Sequence, residues 1–556
     1  MSGQPGRGAR IYLSSSKRKE AERQPGQALG VLKRPLARLG FRGLRLPRFG
    51  RPRRLGSLTW LVLVLVFGLI AGSAFLRAYF GPVTPDQIAF HLRHGGLEYA
   101  DPRFAMRALR WGLGVALLVA ASALLLACLG RRGRQAVWAV LGTWAAASVA
   151  ATVTDPCRPE PGGADPLERH YADPGMQSFA RAPGMAPDML VVFVESLDQS
   201  YARTDDPDLS DIPRLSALQR RAQTFGTLHN LSGASWTVGG LFTALCGVPL
   251  GRVGLMSTHA LEYSRHFFRG GTCLTDLLVA QGWEASFYGG ASLRFAGKGQ
   301  FLADHGVARR FGREQWRAMG VPVPSSGWGL LDSELVEQAW RDMNRPRSGQ
   351  APRLSLLLTV NTHGPSGFHD PGCTGGEAAG AAEDDLDEAG DLPGQDTEDP
   401  ASAEGAARMR AALRCSDASV ARLVERFLAQ RDGRPKVVWV MGDHLTPRPM
   451  PEQGLPPQGS PRAVFHAMLR VDAAGRALGA SVLHRRFTHA DVMPTLAEAA
   501  GLRWGPHPHR LGVGVSLLHP HGAATLAEKM GFETLDGALS CPSPVFERLW
   551  LGARPG

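Results

Sequence analysis

The sequence predicts an α/β domain, with a mixed, mostly parallel sheet covered by helices on both faces, that is preceded by three transmembrane helices. From residue 188 onward, short apolar runs of strand length alternate with helical patterns. This alternation is typical of parallel sheets whose connecting helices cover both faces. Before residue 154 the chain has three longer apolar segments instead, and their length predicts membrane helices.

The apolar segments cover residues 58–75, 111–130 and 136–153, and none of them contains a charged side chain. A helix that crosses a bilayer needs about 20 such residues. The third segment is richer in alanine, so a buried amphipathic helix is its alternative, but the lack of charge favours a span. We therefore predict a membrane domain over residues 55–153.

The excess of basic side chains belongs to a tail. The chain has 62 Lys and Arg against 50 Asp and Glu, but residues 1–54 hold 15 of the basic side chains and only two acids. The rest is close to neutral, so we predict no nucleic-acid partner. Positive charge stays on the cytoplasmic side of a membrane, which places a disordered tail inside. After three crossings, a linker over residues 154–186 and a catalytic domain over residues 187–556 lie outside.

Cysteine placement agrees with an exported domain. One of the seven cysteines, Cys128, lies within the second apolar segment, and the other six follow residue 154. An even number of cysteines in an oxidising compartment predicts disulfides. The spacing leaves the connectivity open, and our expected pairs are Cys246 with Cys273, Cys373 with Cys415, and Cys157 with Cys541.

The predicted strands end on side chains suited to chemistry. They cover residues 189–194, 285–288, 354–360, 437–440 and 465–471, with helices over 330–340 and 418–428 between them. Glu195, His363, Asp443 and His444 lie at or just after strand ends. Sites of parallel sheets form at the carboxyl ends of strands, so we expect these groups to converge. Residues 377–404 hold eleven acids and no basic residue, which predicts a disordered surface loop.

Thr237 begins a run with helical spacing of apolar residues. Val238, Leu241, Phe242 and Leu245 follow it at that spacing. Thr237 is therefore either a helix N-cap or a nucleophile whose transferred phosphate is held by the free N–H groups of the helix N-terminus. Beside Glu195, Asp443 and His444, which offer oxygen and nitrogen ligands for Zn²⁺, Mn²⁺ or Mg²⁺, the nucleophile is the preferred interpretation.

Several segments occur together in one order. They are Glu195-Ser-Leu, the run from Ser235 to Leu250, Leu293 to Lys298, Trp328 to Asp332, Thr359 to His363, and Val440 to His444. Together they resemble the sulfatase and alkaline-phosphatase superfamily over about residues 187–520. Within it they are most similar to the phosphoglycerol transferase I family, which is related to the lipoteichoic acid synthases.

The resemblance implies a function. Thr237 would be the nucleophile, and Thr237, Glu195, Asp443 and His444 would hold Mn²⁺, with Mg²⁺ or Zn²⁺ possible in its place. Arg294 and His363 would contact the glycerophosphate head group. The donor would be phosphatidylglycerol, the acceptor a periplasmic glucan oligosaccharide, and the released product diacylglycerol. The enzyme would lie in the inner membrane of a Gram-negative bacterium, with its catalytic domain in the periplasm.

Other functions stay open. A phosphoethanolamine transferase would use the same metal and threonine, although such enzymes usually have more spans. A sulfatase or phosphodiesterase is a further alternative. Cys246-Gly-Val-Pro249-Leu-Gly-Arg252 imitates the sulfatase motif, but its proline comes one position late and its arginine two. A non-catalytic membrane protein that binds glucan is the third alternative, against which the intact ligand set argues.

Overall fold

The structure is a computed structural model. It describes residues 55–80, 103–152, 165–203, 209–251, 261–262, 264–325, 327–346, 349–364, 367–373, 403–446, 462–519 and 522–552. The predicted basic tail, nearly all of the predicted acidic loop and Cys157 lie outside these ranges.

Three long helices precede the α/β domain. They are α1 (Ser57–Phe80), α2 (Arg103–Cys128) and α3 (Arg131–Thr152). Two stretches, Ser57–Phe75 and Leu109–Cys128, are long and apolar enough to cross a membrane. The third predicted span does form a helix, but its alanines contribute less apolar surface than the leucines and valines of α1 and α2, so its role as a span stays a prediction.

The domain from residue 165 onward contains short strands and helices in alternation. Its strands are β1 (Ser178–Arg181), β2 (Asp188–Val194), β3 (Gln223–His229), β4 (Glu284–Gly289), β5 (Arg309–Phe311), β6 (Arg353–Leu358), β7 (Lys436–Gly442), β8 (His466–Val471), β9 (Ser481–Thr488), β10 (Leu502–Gly505), β11 (Arg510–Leu511) and β12 (Gly514–Val515). Its helices are α4 (Pro166–His170), α5 (Pro213–Arg220), α6 (Thr237–Cys246), α7 (Leu274–Ala280), α8 (Lys298–Asp304), α9 (Arg313–Ala318), α10 (Asp332–Met343), α11 (Ala403–Ala429), α12 (Val492–Ala499), α13 (Leu526–Met530), α14 (Phe532–Leu539) and α15 (Pro544–Leu551).

Eight of the strands form one mixed sheet in the order β5-β4-β6-β2-β7-β8-β3-β9. Strands β5, β4, β6, β2 and β7 run parallel to one another. Strands β3 and β9 are also parallel to each other. Strand β8 is antiparallel to both β7 and β3. The predicted mixed, mostly parallel sheet is confirmed.

Both faces of the sheet are covered by helices. Met189 and Val191 of β2 point into the core formed with α6, α7 and α12. Leu190 and Val192 point into the opposite core, formed with α5, α10 and α11. Successive side chains of a strand point to opposite faces, and since both faces of β2 are buried, its sequence is apolar from Met189 to Val194.

Part of the predicted linker is structured. Within residues 154–186 the chain forms α4 and β1, and β1 pairs antiparallel with β10, from Ser178 opposite Gly505 to Arg181 opposite Leu502. The Pro- and Gly-rich composition that predicted a linker instead supports short elements: Pro166 begins α4 behind its N-cap Asp165. This stretch is therefore a part of the folded domain from residue 165 onward.

Two predicted disulfides are confirmed. Cys246 pairs with Cys273, and Cys373 pairs with Cys415. The first connects the end of α6 to the start of α7, and the second joins the two ends of the segment that contains the whole acidic loop. The predicted pairing of Cys157 with Cys541 involves a residue outside the described ranges.

Candidate metal centre and nucleophile

The strand register brings the predicted ligands to one edge of the sheet. Val194 of β2 lies opposite Gly442 of the parallel strand β7. The next residues along each chain, Glu195 and Asp443, therefore leave the sheet side by side, and His444 follows Asp443. These are the positions at which parallel sheets place their sites.

The side chains of Glu195, Asp443 and His444 form a buried cluster. Their candidate ligand atoms all lie within 4.8 Å of one another. His444 Nε2 lies 3.3 Å from Glu195 Oε1 and 3.5 Å from Asp443 Oδ2. Two carboxylates and an imidazole in such an arrangement can bind a divalent cation.

The hydrogen bonds of Asp443 leave one of its carboxylate oxygens free for a metal. Asp443 Oδ1 accepts from the backbone N–H groups of Ser196 and His444, both at 2.8 Å. Its other oxygen, Oδ2, is buried and has no hydrogen-bond partner within the described part of the chain. His444 Nδ1 donates to the Leu445 carbonyl at 2.7 Å, so Nε2 is the ring nitrogen that faces the carboxylates. The residues present therefore fit a divalent metal ion.

The electrostatics of the cluster favour a bound cation. Burial alone would raise the pKa of Glu195, but the adjacent His444 and the nearby His363 hold it well below its usual range. Burial and the negative charge of Glu195 raise the pKa of Asp443 to about 7. Burial would lower the pKa of His444, but the two carboxylates raise it to about 10. At neutral pH the cluster therefore holds protons that a metal would displace.

Thr237 joins the cluster from the start of α6. Its hydroxyl donates to Glu195 Oε2 at 3.1 Å. Thr237 is the first helical residue, and the N-cap position belongs to Trp236, whose side chain makes no capping bond. The N-cap interpretation is therefore wrong: the threonine hydroxyl points to a ligand carboxylate and does not cap its own helix. The first turn of α6 supplies the N–H groups that the helix cannot satisfy internally.

Lys298 lies at the same edge, although sequence reasoning preferred Arg294. Lys298 is only 1% exposed. Burial lowers the pKa of Lys298, and the negative charges of Glu195, Glu314 and Asp443 raise it. Burial has the larger effect, and the pKa falls to about 8. Arg294 is exposed, and among the described residues its guanidinium makes no ion pair with the cluster. Arg294 lies in the loop after β4, and Lys298 is the first residue of α8, which follows that loop. The sequence therefore offered one clue to Lys298, namely a second basic side chain four residues after Arg294.

His363 lies beside the cluster on the loop after β6. The hydroxyl of the preceding residue, Thr362, donates to the Glu195 carbonyl. The half-buried His363 ring lies 4.7 Å from the ring of Trp328, which contacts Phe295 edge-on at 5.0 Å. Two aromatic rings, those of Trp328 and Phe295, therefore pack in series beside His363, the residue predicted to contact the head group.

Two buried side chains that sequence reasoning left out hold these loops in place. The Asp332 carboxylate accepts from the backbone N–H groups of Val360 at 2.7 Å and Asn361 at 3.3 Å, which fixes the loop that carries His363. His489 Nε2 donates to the Asp443 carbonyl at 2.8 Å. Burial lowers the pKa of His489 to about 4, so this imidazole is neutral at pH 7 and supports the loop that carries Asp443 and His444.

A sequence profile of the sulfatase family matches residues 187–502. This stretch is more than half of the chain and contains every residue of the cluster. The chain belongs to the sulfatase family.

Within the sulfatase family, the chain is similar to phosphoglycerol transferase I, and the predicted resemblance is confirmed. It is 34% identical to phosphoglycerol transferase I of Escherichia coli (strain SMS-3-5 / SECEC) over 210 residues, which cover 36% of this chain and 27% of that protein. The protein of the same name from Citrobacter koseri is 35% identical over 211 residues, with the same shares. The aligned stretch thus spans about a quarter of the length of these curated relatives.

The lipoteichoic acid synthase LtaP from Listeria monocytogenes is similar in structure. Its TM-score is 0.41 at 15% identity, and the match covers 58% of this chain and 73% of LtaP.

The predicted site residues divide into two groups. Glu195, Thr237, Asp443 and His444 come together, with His363 beside them. Arg294 stays on the exposed side of the loop after β4. The disulfide also removes the sulfatase-like use of Cys246, since its sulfur is bonded to Cys273 and it ends the helix that Thr237 begins.

Proposed function

We propose that this sulfatase-family member transfers glycerophosphate from phosphatidylglycerol to a glucan hydroxyl through a phosphothreonine at Thr237. The observation that carries the proposal is the hydroxyl of Thr237, 3.1 Å from Glu195 Oε2 at the N-terminus of a helix. A nucleophilic hydroxyl group needs activation, and the Thr237 hydroxyl already contacts the cluster that could hold a metal. The similarity to phosphoglycerol transferase I supports the choice of the transferred group.

We assign Glu195, Asp443, His444 and Thr237 as the ligands of a divalent metal, with Mn²⁺ proposed and Mg²⁺ or Zn²⁺ as alternatives. Bound there, the ion would act as a Lewis acid that lowers the pKa of the Thr237 hydroxyl and offsets charge on phosphate oxygens.

In the first displacement, the Thr237 oxygen attacks phosphorus and loses its proton. A bond forms from Thr237 Oγ1 to phosphorus, and the bond from phosphorus to the diacylglycerol oxygen breaks. The leaving oxygen takes up a proton and diacylglycerol departs. The free N–H groups at the start of α6 hold a phosphate oxygen, and the Lys298 ammonium offsets the charge that develops at phosphorus.

In the second displacement, an acceptor hydroxyl attacks the glycerophosphothreonine. Its oxygen bonds to phosphorus, the bond from Thr237 Oγ1 to phosphorus breaks, and the threonine regains a proton. We assign His363 to the head group or the acceptor, because it lies near Glu195 and its ring lies 4.7 Å from the ring of Trp328. Arg294 is exposed and makes no ion pair with the cluster among the described residues, so the similarity to phosphoglycerol transferase I alone supports its assignment to the phosphate.

The location that we propose follows from the helices and the donor. Helices α1 and α2 contain stretches able to cross a membrane, and a lipid donor requires an enzyme at a membrane surface. We propose an inner-membrane protein with its catalytic domain in the periplasm, since the two disulfides require an oxidising compartment.

The test uses the purified full chain with labelled phosphatidylglycerol and Mn²⁺, with diacylglycerol release as the readout. We expect release by the parent, at least a 10³-fold lower rate for Thr237→Ala and partial activity for Thr237→Ser. Ser235→Ala is the matched control, because this exposed hydroxyl two residues earlier donates only to the Ser232 carbonyl. Equal rates for Thr237→Ala and the parent would refute the nucleophile. Cleavage of phosphatidylethanolamine alone would replace this donor with that of a phosphoethanolamine transferase.

A further inference from the structure

A second cluster of metal-ligating side chains lies at the end of α12. Glu498 belongs to the last turn of this helix, and His509 and His519 come from the segments before β11 and after β12. The candidate ligand atoms of the three side chains all lie within 4.8 Å of one another. In the described part of the chain, none of the three contacts Glu195, Asp443 or His444, so the two clusters are separate.

The His509 and His519 imidazoles each contact a different oxygen of the Glu498 carboxylate. His509 Nδ1 lies 3.2 Å from Glu498 Oε2, and His519 Nε2 lies 2.6 Å from Glu498 Oε1. The two rings lie 4.2 Å apart. The Glu498 side chain is 6% exposed, whereas those of His509 and His519 are 41% and 43% exposed. The carboxylate is thus fixed at the base of a site that is open to solvent.

The Glu498 carboxylate has two histidines as its ionic partners and accepts a hydrogen bond from the Ser516 side chain. Among the described residues, no Lys or Arg side chain pairs with Glu498, and its ionic partners are the two histidines. A buried carboxylate needs a compensating charge, which either protons on the imidazoles or a metal ion can provide. Neutral imidazoles present lone pairs, and two of them with one carboxylate form a donor set that zinc accepts.

The spacing of the cluster is close to that of a coordinated metal. Ligand bonds of about 2.0–2.1 Å in a tetrahedron separate neighbouring ligand atoms by roughly 3.3 Å. The distance of 3.2 Å from His509 Nδ1 to Glu498 Oε2 meets this requirement. The shorter pair, from His519 to Glu498, would have to open by roughly 0.7 Å, a change that a half-exposed side chain on a loop can make.

The backbone at His509 adopts an uncommon conformation. Its φ is 65°, in the left-handed region that few non-glycine residues adopt. The Ser516 N–H donates to the His509 carbonyl at 2.7 Å, which ties the segment before β11 to the segment after β12. The two histidines therefore reach Glu498 from segments that are already joined.

The other clusters of this kind outside the candidate active site have a different explanation. Each contains a cysteine whose sulfur is committed to a disulfide: Cys273 in one, and Cys373 with Cys415 in the other. We propose that Glu498, His509 and His519 form a second divalent-cation site, of the zinc class, that fastens the segments flanking β11 and β12 to the end of α12. This proposal is independent of the reaction at Thr237.

The experiment measures zinc bound to the purified full chain after removal of metals with a chelator and titration with Zn²⁺. We expect the His509→Gln/His519→Gln double variant to bind one zinc fewer per chain than the parent, and Asp443→Asn to retain that zinc. His507→Gln is the matched control, since this exposed histidine two residues before His509 lies outside the cluster, and it should bind as much zinc as the parent. Zinc should also raise the melting temperature of Asp443→Asn but not that of the same chain with both histidines replaced.

A second variant tests the site through a new absorption band, so the result does not depend on whether the double variant lost zinc by misfolding. His519→Cys should keep the site and, with Co²⁺, give a thiolate-to-cobalt absorption band that the parent lacks. Equal zinc content of the parent and the double variant would overturn the proposal. Absence of the cobalt band in a folded His519→Cys variant would also overturn it.

Discussion

Gly240 is the point at which α6, the helix that begins with Thr237, contacts the loop that carries Asp443 and His444. A Cβ atom built on Gly240 would lie 1.9 Å from the Asp443 carbonyl oxygen and 2.8 Å from its carbon. An ordinary contact begins at 3.4 Å, so Gly240→Ala must separate α6 from this loop by about 1.5 Å. The Asp443 carbonyl cannot turn aside freely, because it accepts the hydrogen bond from His489.

Moving α6 away from the loop that carries Asp443 should reduce the reaction rate more than it reduces the stability of the fold. The hydroxyl of Thr237, three residues before Gly240, would move away from Glu195, and a misplacement of about 1 Å can cost about 10²-fold in rate. We expect Gly240→Ala to release diacylglycerol at least 10²-fold more slowly than the parent. Overpacking should cost about 1–3 kcal/mol in stability, which lowers the melting temperature by a few degrees.

The assay compares initial rates of lipid cleavage and melting curves for the parent, Gly240→Ala and Gly142→Ala. Gly142 also lies within a helix, but a Cβ there would have no atom within 4 Å, so that variant should keep the parental rate. A parental rate for Gly240→Ala would refute the close approach of α6 to Asp443 on which the site geometry depends.

Three further changes have defined outcomes. Lys298→Met should lower kcat by about 10²–10³-fold while the melting temperature holds or rises, because a buried ammonium is removed; an unchanged kcat would exclude Lys298 from the reaction. Asp443→Asn should abolish Mn²⁺-dependent activity, and full activity in this variant at the same Mn²⁺ concentration would contradict the ligand assignment. Burial lowers the pKa of His466 from 6.5 to about 4, so its stabilising contribution is present above pH 6.5 and is lost as the pH falls towards 4. That loss is about 3 kcal/mol, and chemical denaturation between pH 7 and 4.5 should show a shallower decline for His466→Gln; identical declines would refute this source of acid sensitivity.

The central strands of the sheet could be predicted because both of their faces are buried. Strands such as β2 and β7 are continuous apolar runs, and the residue after each run was predicted as a ligand. Strands β3 and β9 were missed, since they lie towards one end of the sheet and carry polar, partly exposed side chains. Strand β5 has only three residues, too few for a periodic pattern.

Site residues that directly follow neighbouring parallel strands could be predicted, because the strand order places them side by side. Residues whose positions depend on tertiary packing could not be predicted from the sequence. Glu195 and Asp443 follow neighbouring parallel strands, so their convergence follows from the fold class. Lys298 was passed over because a guanidinium suits a phosphate diester better than an ammonium does, and only the packed structure shows that this lysine is buried beside the cluster. The cluster at Glu498 joins residues from three segments whose contact no local pattern indicates.

The most direct test of the account is the mass of the enzyme during turnover. The full chain, mixed with phosphatidylglycerol and Mn²⁺ without acceptor and quenched in acid, should gain one glycerophosphoryl group, which peptide mapping should place on Thr237. Addition of glucan before the quench should remove it. An adduct on another residue, or diacylglycerol release with no adduct on Thr237 at any time point, would contradict transfer through this threonine.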